Sequence, residues 1–179
     1  ETVHFKNIQV GRFEVTRAQF AQFDEKYTFE PSTANYPANG ITFEQANNYC
    51  AWLSKKTGNK YRLGTAEEME PIYEAAGDTE NTLDHWAGYS PNPEDRNKLQ
   101  SALKELAGKA PLLKEVGSFK SADPKIAIFD LGGNVAEWVD DKGKGKVLGG
   151  SADIPSDEKI QCAPEYIGFR VVREEMGKE

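Results

Sequence analysis

Apolar residues first recur along this chain at extended spacing. Val3, Phe5, Ile8, Val10 and Phe13 run through residues 3–15, a stretch read as extended structure broken at Gly11. The spacing then becomes helical. Thr16-Arg17-Ala18-Gln19 has the side chains of a capping box, in which a threonine hydroxyl and a glutamine carbonyl each satisfy an amide left open at a helix start. Ala18, Phe20, Ala21 and Phe23 supply the apolar face of that helix. Residues 28–40 contain Pro31, Pro37 and Gly40 and read as loop. Thr42-Phe43-Glu44-Gln45 repeats the box. Phe43, Ala46, Cys50 and Leu53 follow at helical spacing, and Gly58 stops the helix, so Cys50 is expected to face inward as a buried thiol. Thr65-Ala66-Glu67-Glu68 is a third box, for a helix ending near Gly77. Pro71 inside it lacks an amide hydrogen and crowds the previous turn, which predicts a kink or a short first segment.

The second half is less regular. Residues 81–93 are polar, aromatic and turn-rich, with Asp84, His85, Trp86, Tyr89 and Asn92. Asn92-Pro93-Glu94-Asp95 then opens a helix whose stripe of Leu99, Ala102, Leu103 and Leu106 is expected to be core, with Gly108 ending it. Residues 116–119 and 126–129 are short strand candidates. Trp138-Val139 and Lys146-Val147-Leu148 predict a hairpin, and residues 167–173 a closing strand pairing near the N-terminal one.

Between these elements stands Asp130-Leu131-Gly132-Gly133-Asn134-Val135-Ala136-Glu137-Trp138. Successive glycines permit backbone angles closed to other residues, and a tight turn aims carbonyl oxygens inward. Asp130 and Glu137 would add charged oxygens, the donor set a hard cation such as Ca²⁺ takes. Trp138 would anchor the turn. Spacing alone favours the other reading, a tight turn before a strand with both carboxylates solvated, since no EF-hand pattern is present.

Composition narrows the classes. With 38% hydrophobic and 28% charged residues among 179, the chain is expected to be globular and loop-rich, of a length that suits one domain over 1–179 or at most a tightly joined pair. A net charge of −7 argues against nucleic acid and anionic membrane as partners, and no apolar run reaches the length of a membrane span. A start at Glu1-Thr2-Val3 without Met reads as an excised domain or processed product of a longer chain. Two cysteines, Cys50 and Cys162, make no disulfide framework, and two histidines, His4 and His85, are too few for a histidine-rich metal centre. Ser151 lacks a nucleophile-elbow pattern, and Gly143-Lys144-Gly145 lacks the helix and the Lys-[ST] of a phosphate loop.

Six stretches then fall in one order: Glu14-Val15-Thr16, Tyr49-Cys50-Ala51-Trp52-Leu53, Tyr61-Arg62-Leu63-Gly64-Thr65, Gly133-Asn134-Val135-Ala136-Glu137-Trp138, Gly149-Gly150-Ser151 and Gly168-Phe169-Arg170. Together they resemble the sulfatase-modifying-factor family, that of the formylglycine-generating enzyme. The resemblance runs over residues 3–173 and implies the α+β class, in a variant of the C-type lectin fold. It implies a structural Ca²⁺ held by Asp130, Gly133, Val135 and Glu137, the middle two through backbone carbonyls. It also implies a secreted, periplasmic or cell-envelope location. The family's copper-dependent oxidation of a protein cysteine resembles chemistry by two cysteines shortly after Gly-Gly-Ser, with arginine-rich flanks. Here Ile154 and Lys159 stand at the third and eighth positions after Ser151. Cys162 stands alone at the eleventh, and no arginine lies between Ser151 and Phe169. Soft Cu(I) needs thiolates, so no copper is expected.

The expectation is therefore a non-catalytic ligand- or protein-binding module, a pseudoenzyme on this scaffold. An oxidoreductase of the formylglycine-generating type is the alternative, and a structural domain of a larger secreted or envelope protein a third. Loops on a rigid base carry recognition. Two segments fit a ligand site: residues 84–89, where Trp86 and Tyr89 would stack on a flat group, and residues 153–166. The second inherits the address of the family's active groove; Asp153, Glu165 and Tyr166 are its candidate contacts, and Asp153 and Glu165 would favour a cationic or hydroxylated ligand. The other reading of Trp86 and Tyr89 is as core residues covering the helix after Asn92.

Overall fold

In the computed structural model, which describes residues 1–76, 81–106, 108–121, 123–154 and 162–175, a hairpin opens the chain. Strands β1 (Thr2–Phe5) and β2 (Ile8–Gly11) pair antiparallel around Lys6-Asn7, with Lys6 at φ 52°. The extended stretch thus folds back at Lys6-Asn7 as well as ending at Gly11. Strand β3 (Tyr61–Arg62) belongs to the same sheet. A second sheet holds β4 (Ala136–Asp141), β5 (Lys144–Leu148) and β6 (Ile167–Gly168) in the order β5-β4-β6. The predicted hairpin is β4–β5, its turn made by Lys142 and Gly143 at φ 55° and 84°, the left-handed angles such a two-residue turn requires.

The predicted closing strand is two strands. Segment β6 runs parallel to β4, whereas β7 (Val172–Arg173) lies antiparallel between β2 and β3, completing β1-β2-β7-β3. Phe169 and Arg170 cross from one sheet to the other, and both are buried.

Five helices fill in around the sheets among the described residues: α1 (Arg17–Ala21), α2 (Phe43–Thr57), α3 (Ala66–Ala76), α4 (Thr82–Ala87) and α5 (Pro93–Lys104). All three capping boxes form. Thr16 pairs with Gln19 and Thr42 with Gln45; the Thr65 amide donates to Glu68 Oε2 at 2.9 Å and the Glu68 amide to Thr65 Oγ1 at 3.2 Å. Gly58 ends α2 at φ 76°. Helix α3 runs through Pro71 as one element, and Gly77 lies outside the described residues.

Three further expectations change. Residues 82–87 are helical, because Asn81 accepts the Leu83 amide at 2.8 Å and starts α4. No residue of α5 is buried, and Leu106 just beyond it is 38% exposed, so its apolar stripe is not core; periodicity marks a face without saying what covers it. Residues 116–119 and 126–129 form no strands beyond one isolated Lys120–Phe129 bridge. The reason is local: the amides of Gly117 and Phe119 bond to the Asp130 carboxylate, and that of Phe129 to the Arg12 carbonyl.

Two buried clusters hold the fold together. One packs Val10, Met69, Ile72, Ile128, Val139 and Val172 between α3 and the sheets. The other is aromatic, with Phe20 stacked on Tyr49 at 5.7 Å and Phe169 edge-on to Tyr49 at 5.3 Å.

Candidate functional site

The central turn is a joint between segments distant in sequence. Its left-handed residues are Asp130 and Asn134, both at φ 66°, not the glycines. Gly133 is needed for close approach: a Cβ there would stand 2.7 Å from Thr82 Oγ1 and 3.0 Å from the Thr82 amide nitrogen. Thr82 Oγ1 accepts the Asn134 amide at 2.5 Å, and Asn81 Nδ2 donates to the carbonyls of Gly132 and Ser151, each at 2.9 Å. The Asn134 side chain ties down Lys114 through both its amide and its carbonyl.

Beneath the turn lie three buried carboxyl groups and one guanidinium. Arg170 donates to both Glu137 oxygens, at 2.6 and 2.5 Å, and its other N–H groups reach the carbonyls of Gly11, Arg12 and Phe129. Asp130 accepts the Gly117 and Phe119 amides at 2.5 and 2.8 Å. Glu14 is 2% exposed, and burial, with the Asp130 carboxylate next, pushes its carboxyl well above the usual range.

These partners bear on the fit of the two carboxylates to Ca²⁺. Glu137 already faces a cation along both oxygens, and both Asp130 oxygens accept backbone amides. Val135 turns its side chain into a cluster with Leu113, Ala152 and Tyr166, and Gly133 is pressed against Thr82. Among the described residues no group of three or more His, Cys, Asp or Glu side chains could hold a metal ion. Of the four residues read as Ca²⁺ ligands, the two carboxylates are thus engaged by protein donors, whereas none of these contacts involves the Gly133 or Val135 carbonyl oxygen.

The five residues read as ligand contacts divide between two places. Asp153, Glu165 and Tyr166 line a cleft of about 660 Å³ beneath α5, opposite Gln100, Leu103 and Lys104. Asp153 is fixed there: its Oδ1 accepts the Ser151 hydroxyl at 2.6 Å, its Oδ2 accepts the Ala163 amide at 3.4 Å, and its carbonyl accepts Gln100 Nε2 at 3.1 Å. Burial raises its pKa. Glu165 Oε1 accepts the Gly108 amide at 3.0 Å, and its carbonyl accepts Asn39 Nδ2 at 2.9 Å. Tyr166 is buried, and desolvation pushes its hydroxyl up to about 12. Residues 155–161 of the expected loop, Lys159 included, lie outside the described residues.

Trp86 and Tyr89 do not border that cleft. Each is 53% exposed, so they are not core. Trp86 Nε1 donates to the Leu112 carbonyl at 2.8 Å, with the Lys114 ammonium 5.3 Å from its ring centre, and Tyr89 donates to Asp95 Oδ2 at 3.2 Å.

Cys50 and Cys162 are both free, buried and in separate clusters, Cys50 beside Phe20 and Tyr49, Cys162 beside Ile154 and Ile167. Desolvation pushes their thiols up to about 12 and about 11. Both are poor sources of the thiolate that oxidation or metal binding requires.

Sequence reasoning missed Asn81, Thr82, Gln100 and Asn39 as positioning residues. Only the Asn81-Thr82 pair ahead of Leu83 carried a local signal, that of a helix N-cap. Arg170 was visible as part of Gly168-Phe169-Arg170, but its partners were not.

With this geometry described, the chain can be set beside known proteins. A model of the sulfatase-modifying factor enzyme 1-like domain matches residues 1–175. No curated protein matches the chain. Among solved structures it is similar to PvdO from Pseudomonas aeruginosa, at 23% identity and TM-score 0.58, over 93% of this chain and 80% of that one. Treponema denticola variable protein 1 aligns at 17% identity and TM-score 0.58, over 94% and 84%. CarF aligns at 16% identity and TM-score 0.56, over 97% and 89%. At these identities the likeness concerns the fold alone.

Proposed function

The chain belongs to the sulfatase-modifying factor enzyme 1-like domain family, and we propose that it serves there as a non-catalytic binding module, taking a cationic or hydroxylated ligand in the cleft beneath α5. The observation that carries this reading is the cleft itself. About 660 Å³ lies within the range of small-ligand sites, and its walls bring the Asp153 and Glu165 carboxyl groups together with the polar side chains of Asn97, Gln100 and Ser101 beside Leu103, Ile154 and Tyr166, with Lys104 at the edge. Ser151 and Gly108 hold the two carboxylates, so little ordering remains to be done on binding. The thiols argue in the same direction. Neither lines the cleft, and neither favours the thiolate form.

The test is a titration of ¹⁵N-labelled protein with agmatine, spermidine and trehalose in turn. Saturable shifts at Gln100, Asp153 and Glu165 with at least one probe, lost in Q100A/E165Q, are the expected result. Shifts with none of the three would overturn the cleft as a site for this class. Turnover of a cysteine-containing peptide, abolished in C162S, would overturn the non-catalytic reading.

A further inference from the structure

A second cavity, of about 490 Å³, is bordered by Arg17, Tyr27, Glu30, Asn39, Gly108 and Lys109. It adjoins the cleft beneath α5 at one residue. Glu165 lines the cleft, and its two polar contacts, the Gly108 amide at 3.0 Å and Asn39 Nδ2 at 2.9 Å, both come from residues of the second cavity. The two spaces are therefore linked through the contacts of Glu165 with Gly108 and Asn39.

Their charges differ in sign. The cleft presents Asp153 and Glu165, with Lys104 at its edge. The second cavity presents Arg17 and Lys109 against the single carboxylate of Glu30. Arg17 is fixed by neutral groups. Nε and Nη2 donate to Asn39 Oδ1 at 3.2 and 3.0 Å, Nη1 donates to Thr33 Oγ1 at 2.7 Å, and the guanidinium sits over the Tyr36 ring at 5.4 Å. Three of its five N–H groups are thereby used, leaving one on each terminal nitrogen. Among the described residues no carboxylate pairs with it. A held guanidinium with two unused donors and no carboxylate in ion-pair contact, in a cavity where two cations outnumber the one carboxylate of Glu30, is an arrangement that takes a carboxylate. Tyr27 and Asn39 add neutral polar groups, and the Tyr27 hydroxyl accepts the Asn39 amide at 3.1 Å.

We propose that the two cavities form one bipartite site for a zwitterion, whose amine or guanidinium lies in the cleft against Asp153 and Glu165 and whose carboxylate lies against Arg17 and Lys109. This rests on the cleft being the ligand site, and adds to it the ligand's anionic end. Glu165 is the divide. Its carboxylate borders the cleft with Oε1 accepting the Gly108 amide, its carbonyl accepts Asn39 Nδ2, and these two contacts set the spacing to the anion subsite. A purely cationic ligand would fill only one half.

Arginylglycine and its C-terminal amide separate the claims, because they differ only in the terminal carboxylate. Calorimetric titration should show the free acid binding about tenfold tighter than the amide, as one charge-assisted contact implies. The preference should vanish in R17A and shrink in K109Q, whose exposed side chain makes no contact the loop depends on. NMR shifts from the free acid should extend to Asn39 and Gly108, whereas those from the amide should stop at Glu165. Equal affinity of acid and amide, with shifts in the cleft, would overturn the bipartite site and leave the cleft standing. No binding of either peptide would remove both. If R17A fails to fold, the acid-against-amide comparison in the unmodified chain and in K109Q still decides.

Discussion

Arg170 and Glu137 face each other edge to edge, Nε on Oε2 and Nη2 on Oε1, in a part of the core where both are almost wholly hidden from solvent. Glu137 is on β4 and Arg170 lies between β6 and β7, so the pair and the three carbonyls on the guanidinium's other side clamp the two sheets together. Removing one partner leaves an uncompensated buried charge. R170A or E137A is expected to cost about 3–5 kcal/mol in urea unfolding. R170K should recover little, because an ammonium has three donors where five acceptor contacts exist. A loss under about 1 kcal/mol in R170A would show that the clamp is not what joins the sheets.

The same geometry bears on calcium. Because the carboxylates of Asp130 and Glu137 are taken up by Gly117, Phe119 and Arg170, neither EDTA nor millimolar Ca²⁺ should move the melting temperature. A bound ion at one hundred times its Kd would instead stabilise the fold by about 2.7 kcal/mol. A calcium-dependent rise that disappears in E137Q would reverse the reading of this turn.

What was legible in the sequence was local. The boxes at Thr16, Thr42 and Thr65, the stop at Gly58 and the cap at Asn92 each depend on groups within four residues, and all formed. The family order of six short motifs carried the α+β fold. What was not legible joins distant segments. Asn81 reaches residues 132 and 151, and Arg170 reaches 11, 12, 129 and 137. The reading of Gly132-Gly133 went astray because a glycine can be needed for its angles or for its missing Cβ, and the sequence does not say which. Of the candidate site, Asp153, Glu165 and Tyr166 were brought to one cleft, but Trp86 and Tyr89 were grouped with them only by their chemistry.

Gly133→Ala tests the close approach. The added methyl would meet Thr82 on backbone and hydroxyl, at the point where α4 docks on the turn. A penalty of about 1–3 kcal/mol is expected, the range for overpacking a well-filled site. Hydrogen exchange at the Asn134 amide should quicken, since its acceptor is displaced. Unchanged stability and exchange would place the constraint elsewhere.

Trp86→Ala distinguishes surface from core. Truncating a buried Trp costs about 3–5 kcal/mol. Here the ring is half exposed, with one hydrogen bond to the Leu112 carbonyl and one cation over its face. The expected loss is about 1 kcal/mol or less, measured by chemical denaturation. A larger loss would mean that Trp86 holds α4 against residues 112–114.

The thiols give a pH-dependent test. Burial raises Cys50 to about 12 and Cys162 to about 11, against about 8.5 for a free thiol. The folded state thus binds these two protons more tightly than the unfolded state does. Their contribution to stability is complete below the unfolded value and is lost as pH rises through the folded values. Labelling with a disulfide reagent should follow the same logic. At neutral pH both thiols should be silent in the native chain and fully reactive in denaturant. Native reactivity should grow between about pH 9 and about pH 11, with Cys162 ahead of Cys50 because its shift is smaller. C50S should leave the Cys162 profile in place, which assigns the phases. Rapid labelling of Cys162 at neutral pH would mean an accessible thiolate beside the cleft, and would reopen thiol chemistry for this chain.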